Sequence, residues 1–167
     1  MKKKLSTNDL ITKKNLLESL VALYRRLLSQ TSQRRLQPCV ERAAQAIITE
    51  MKYLGHPVRI VQGYRSIEEQ NRLYAQGRTT PGNIVTNAKG GQSFHNYGCA
   101  VDFVFVKEGY NATEALWQVL GGVGEKQGFE WGGSWTGGFV DRPHFEMKLG
   151  YSLKDFQNGL VNYNKFK

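Results

Sequence analysis

No stretch of this 167-residue chain approaches twenty consecutive apolar residues, so it offers no candidate for a membrane-spanning helix. Cysteine is nearly absent. Cys39 and Cys99 lack CxxC spacing and make neither a four-cysteine zinc site nor a disulfide framework. Histidine is almost as scarce, with three in all. Acidic residues are few: 14 Asp and Glu stand against 23 Lys and Arg, for a net charge of +9. That excess is uneven, because residues 1–42 carry 10 basic and 3 acidic side chains. The basic character therefore belongs to an N-terminal extension, either as a solvated helical face or as an attraction to anionic wall polymer or a lipid surface. No nucleic-acid motif accompanies it, and nucleic acid ranks lowest among partners. Met1-Lys2-Lys3-Lys4 resembles the start of a secretion signal, but the following residues are polar. The expectation is a chain made without one.

Periodicity supplies the elements. Leu17, Leu20, Val21, Tyr24, Leu27 and Leu28 stripe a helix over 15–30, and Val40, Ala43, Ala44, Ile47, Met51 and Leu54 stripe another over 38–54. Residues 57–62 alternate as a strand. Ser66 with Glu69 predicts a capping box on a helix over 67–76. A loop over 78–92 leads to a strand at 99–106. A helix over 112–127 starts at Asn111 and faces inward through Ala115, Leu116, Val119, Leu120 and Val123. A glycine-rich loop at 132–138 and a strand near 144–149 follow. Helices and strands do not alternate at βαβ spacing throughout, so α+β with an antiparallel sheet is expected. The division is a basic extension over 1–36 and a domain over 37–167.

Two segments carry the chemistry. Asp102 falls inside the apolar run Cys99–Val106, where a buried carboxylate needs compensation. His95 precedes it, and His144 sits next to an acid-bearing turn, Asp141-Arg142-Pro143. A catalytic zinc takes three protein ligands and keeps one position open. His95, Asp102 and His144 fit that set, and Asp141 fits the carboxylate that moves the water's proton. Glu130 is the rival base, and Glu146 shares strand parity with His144 and could orient it. His56 has no partner pattern and is assigned no role.

Ser93-x-His95-x-x-Gly98-x-Ala100-x-Asp102 with Asp141-x-Pro143-His144 resembles the zinc DD-/LD-peptidases of bacterial cell walls. Gly63-Tyr64-Arg65-Ser66 with Gln70, and Phe129-Glu130-Trp131-Gly132-Gly133-x-Trp135, are similar to two further landmarks of that family. The likeness covers roughly residues 40–150 and looks closest to the L-alanyl-D-glutamate endopeptidase branch. It implies a hedgehog/DD-peptidase-like sheet with packed helices, and one Zn2+ on the open face held by His95, Asp102 and His144. It also implies Asp141 as general base and acid, and Arg65 on the scissile carbonyl oxygen. Ser93 and Gln70 would contact substrate, or orient a ligand and buttress Arg65. Trp131 and Trp135 would wall the cleft. The partner would be the peptidoglycan stem peptide, met by a monomer that reaches the wall through lysis, a holin or dedicated export. Alternatives are a D-alanyl-D-alanine carboxypeptidase, a zinc-bearing binding module without turnover, and an amidase or toxin-like effector delivered into another cell.

Overall fold

The computed structural model describes residues 13–20, 23 and 36–167. Residues 13–20 are helical, with Leu17 and Leu20 exposed; Val21, Tyr24, Leu27 and Leu28 of the expected stripe lie outside the described residues. No described helix is long and apolar enough to cross a membrane.

Helix α1, Pro38–Tyr53, begins on a proline, whose fixed φ and missing N–H suit the first helical turn. Val40, Ala44, Ile47 and Met51 fall on one face and are fully buried. Burial of Val40, Ile47 and Met51 contributes about 1.5–3 kcal/mol each. Leu54, expected on that stripe, is instead the exposed C-cap. Strand β1 is Val58–Gln62, and helix α2 is Ile67–Ala75. Ser66 caps α2 by accepting from the Glu69 N–H at 3.1 Å. Strand β2 is Ala100–Phe105.

Helix α3, Glu114–Lys126, is capped by Thr113 rather than Asn111. Its packed face also differs from expectation. Ala115 and Val119 are exposed, whereas Trp117, Leu120, Gly121, Val123 and Gly124 are buried. The glycines select this face. A Cβ on Gly121 would lie 2.3 Å from the Trp131 ring, and one on Gly124 2.4 Å from the Phe145 ring, so their absence lets the helix close on both aromatics.

Strands β3, Glu130–Trp131, and β4, His144–Glu146, complete an antiparallel sheet in the order β1-β2-β4-β3. β4 is shorter than its alternation suggests: Leu149 takes φ 47° and turns outward, exposed. The register pairs Val101 with Phe145 and Asp102 with His144. Because side chains alternate across a strand, Val101, Phe103 and Phe145 enter the core while Asp102, His144 and Glu146 share the other face. The later chain adds helix α4, Leu153–Gln157, whose Phe156 packs edge-on against Phe94 at 5.4 Å. That contact supports the turn carrying His95.

Candidate metal centre and cleft

His95 sits in a one-turn 3-10 helix, Phe94–Tyr97, which Gly98 ends with φ 69°. Ser93 caps the turn, its hydroxyl accepting from the His95 N–H at 3.4 Å. The His95 carbonyl accepts from the Arg65 N–H at 3.0 Å, tying the two segments together. Asp102 and His144 face each other across the β2–β4 pair.

Three ligand atoms converge. His95 Nε2 lies 3.2 Å from His144 Nδ1 and 3.2 Å from Asp102 Oδ1, and His144 Nδ1 lies 3.1 Å from the same oxygen. Ligands about 2.0–2.2 Å from a tetrahedral zinc stand about 3.3 Å apart, so the triangle matches one face of such a site. The other ring nitrogens are already committed. His95 Nδ1 is 2.7 Å from the Gly63 carbonyl oxygen, and His144 Nε2 is 3.0 Å from Glu146 Oε2. Each acceptor requires an N–H from its ring, so in the neutral rings the two facing nitrogens carry the lone pairs. Two lone pairs and a carboxylate oxygen pointing at one another repel unless a cation sits among them. Among the described residues, these three form a group able to hold a metal ion. Neither cysteine joins them: Cys99 is buried, and burial pushes its thiol up to about 12.

A proton on His144 Nδ1 can fill the cation's role beside Asp102, and a metal ion would displace it. Burial disfavours a charged His144, but hydrogen bonds and charge from Asp102 and Glu146 outweigh it and raise the imidazole to about 10. Burial also opposes the Asp102 carboxylate, yet the two histidines hold it below the usual range. Asp102 is not sealed in the core; its side chain keeps 20% exposure, on a cavity of about 590 Å³. Arg65, Ser93, Trp135 and Asp141 line the same cavity with the three ligand residues.

Neither Gln70 nor Trp131 lines the cavity, and Gln70 takes the buttressing place expected for it behind Arg65. Gln70 is fully buried behind Arg65: its Oε1 accepts from Arg65 Nη1 at 2.9 Å, and its Nε2 donates to the Ala88 carbonyl at 2.7 Å. Trp131 is 3% exposed and belongs to the core, stacked near Phe145. Its indole N–H donates to the Arg142 carbonyl at 2.8 Å, in the turn that carries Asp141. Phe103 N–H holds the next carbonyl, that of Pro143, at 2.9 Å. Trp131 therefore steadies the acid-bearing turn from behind and does not touch the cleft. Glu130 faces Lys148 and Trp135 and is not among the cavity's lining residues.

A family model described as D-alanyl-D-alanine carboxypeptidase matches residues 86–147. The chain is 42% identical over 123 residues to the peptidoglycan L-alanyl-D-glutamate endopeptidase CwlK of Bacillus subtilis, a stretch covering 67% of this chain and 73% of that protein. The chain belongs to the zinc DD-/LD-peptidase family of bacterial cell walls. It is also 35% identical over 83 residues to an L-alanyl-D-glutamate peptidase of a Listeria phage, which covers 46% of this chain and 28% of the phage protein. Among solved structures, the Serratia marcescens L-Ala D-Glu endopeptidase ChiX shares the fold with TM-score 0.53 at 21% identity, covering 77% of this chain and 89% of that one.

Within this family frame, sequence patterns pass over Asn96 and Tyr110. Asn96 Nδ2 donates to the Arg65 carbonyl at 2.9 Å while its Oδ1 accepts from the Gly91 N–H at 2.9 Å, joining three segments around the cleft. Tyr110 lines the cavity from the loop after β2, where no periodic pattern marks it. Gly132 is another silent determinant. A Cβ there would lie 2.6 Å from the Asp141 carbonyl oxygen and 3.2 Å from His144 Cβ. Gly132→Ala is expected to cost about 1–3 kcal/mol through overpacking and to lower turnover by displacing Asp141. Thermal unfolding and kcat measured together check this.

Proposed function

We propose that this chain is a zinc peptidase that hydrolyses the amide bond between L-Ala and D-Glu in the peptidoglycan stem peptide. The observation that carries the reading is the convergence of His95 Nε2, Asp102 Oδ1 and His144 Nδ1 at 3.1–3.2 Å, with the other ring nitrogen of each histidine already engaged. The L-alanyl-D-glutamate activity named for CwlK and for the phage relative supports the choice of bond. Zinc, when bound, supplies a Lewis acid that lowers the pKa of a water to about 7.

The protein's own groups do the rest. His95, Asp102 and His144 would hold the ion. Asp141 accepts the proton of the attacking water and returns it to the departing amine nitrogen. Its carboxyl is raised from the usual value, first by burial and then by the charge of Asp102, which suits a group that must both take and give a proton. Arg65 donates to the carbonyl oxygen as negative charge grows there. Trp135 and Phe139, both lining the cavity, give the substrate an apolar wall. Ser93 lines the cavity while it caps the His95 turn.

Digestion of purified peptidoglycan with and without a chelator, followed by mass spectrometry of new termini, tests the reading. New D-Glu amino termini that vanish with the chelator are expected. Release of D-Ala instead would make the chain a carboxypeptidase, the activity in the family model's description. No cleavage by folded, zinc-loaded protein would make it a binding module.

A further inference from the structure

The contacts that hold His144 extend past Glu146 and return to the cleft. Glu146 is nearly buried, with 8% side-chain exposure, and its second oxygen, Oε1, accepts from Lys148 Nζ at 2.9 Å. Lys148 also donates to Glu130 Oε2 at 2.7 Å. Glu130 Oε1 accepts from the Trp135 indole N–H at 3.1 Å. The Trp135 ring comes back to His144, with centroids 5.4 Å apart. The circuit thus joins a residue of the metal triangle, an edge strand and an aromatic wall of the cavity.

Each part of it answers a physical need. Trp135 begins an irregular segment, residues 135–141, outside helix and strand, so secondary structure does not place its indole. Glu130 on β3 supplies a fixed acceptor for it. The Glu146 carboxylate is costly to bury without a cation, and Lys148 is that cation. Lys148 serves both acids at once, and its ammonium also lies 5.5 Å from the centre of the Phe94 ring, beside His95.

We infer that Glu130 and Lys148 are positioning residues that lock the Trp135 wall to the metal-binding His144, so that one network sets both stem-peptide binding and the grip on zinc. This rests on the zinc-peptidase reading above. The network explains why an acid stands at position 130 without joining the cavity: it orients the wall and moves no proton.

The test compares the full chain with Glu130→Ala, Glu130→Gln and Lys148→Met. Three readouts are taken: kinetics on purified peptidoglycan, zinc affinity by competition with a chromophoric chelator, and acrylamide quenching of tryptophan fluorescence. Glu130 is 46% exposed on an edge strand, so its replacements are expected to fold. Trp117 and Trp131 are each 3% exposed, so quenching reports mainly on Trp135. Glu130→Ala should raise KM about 3–10-fold with a smaller change in kcat, and increase quenching. Glu130→Gln keeps an amide oxygen for the indole N–H and should recover most of the KM. Lys148→Met should weaken zinc binding about tenfold and raise KM as well. Unchanged KM and quenching in Glu130→Ala, a Gln variant as impaired as the Ala variant, or unchanged zinc affinity in Lys148→Met would each overturn the network. If the unaltered protein neither holds zinc nor cuts peptidoglycan, the zinc-peptidase reading falls first and the network falls with it.

Discussion

Asp141→Asn should leave the metal centre loaded and reduce turnover by about 10²–10⁴-fold, the usual contribution of a positioned acid–base group. The three ligand atoms do not include Asp141, and the turn that carries it is fixed through backbone groups: its own N–H to the Gly132 carbonyl at 3.0 Å, and its carbonyl to the His144 N–H at 3.1 Å. Asparagine preserves those bonds and removes only the proton-accepting oxygen. His95→Ala should instead lose both metal and turnover, since it removes one corner of the triangle. Metal content by elemental analysis beside kcat separates the two. A pH profile adds a third reading. The base works only when ionised, so the rate should fall as pH drops through its pKa. Burial and the Asp102 charge raise that pKa, whereas a cation on the three ligands would lower it. The acidic limb of kcat/KM is therefore identified by its loss: it should disappear from the residual activity of Asp141→Asn. An Asp141→Asn protein that kept most of its activity would mean that the base is another group.

The parts of this site that could be read from sequence are those where one residue creates a demand that another meets. Asp102 inside an apolar strand required compensation, and histidines in two other segments were available to supply it. The β2–β4 register then sets Asp102 opposite His144, which sequence spacing alone cannot dictate. The helix ends at Pro38 and Ser66 were legible because capping is local chemistry. Packing faces were less so. On α3 the apolar count pointed toward Ala115 and Val119, while the helix turns Gly121 and Gly124 inward because flat rings from β3 and β4 fill the space. That choice depends on partners distant in the chain. Trp131 and Trp135 show the same limit. Both flank the glycines at 132 and 133, yet one is core and the other faces the cavity, a difference fixed by the pairing of Trp131 with Phe145.

Arg65→Ala should lower kcat by about 10²–10³-fold with KM and zinc content changed far less, as expected for a donor whose bond strengthens only when charge develops on the carbonyl oxygen. The guanidinium is well placed for that work. Its Nη1 is held by Gln70, its Nη2 stands 3.8 Å from Asp102 Oδ2, and its side chain is only 12% exposed, at the cavity wall. Its Nε is buried without a hydrogen-bond partner, a cost that cavity-side contacts would have to offset. Burial lowers its pKa and nearby carboxylates oppose the shift, so the group stays charged at neutral pH. Arg65→Lys tests geometry against charge. A lysine keeps the charge, but its single ammonium cannot both hold Gln70 Oε1 and reach a substrate oxygen, so it should restore little of the rate. Gln70→Ala provides the complementary case. It removes an amide bonded to Arg65, Ala88 and Thr86, and should cost about 1–3 kcal/mol of stability because those partners are left unsatisfied. Its kcat should fall less than that of Arg65→Ala, since the guanidinium remains but is no longer fixed. If Arg65→Ala raised KM alone, the arginine would be a ground-state binding group, and stabilisation of the developing charge would have to come from the metal and the backbone.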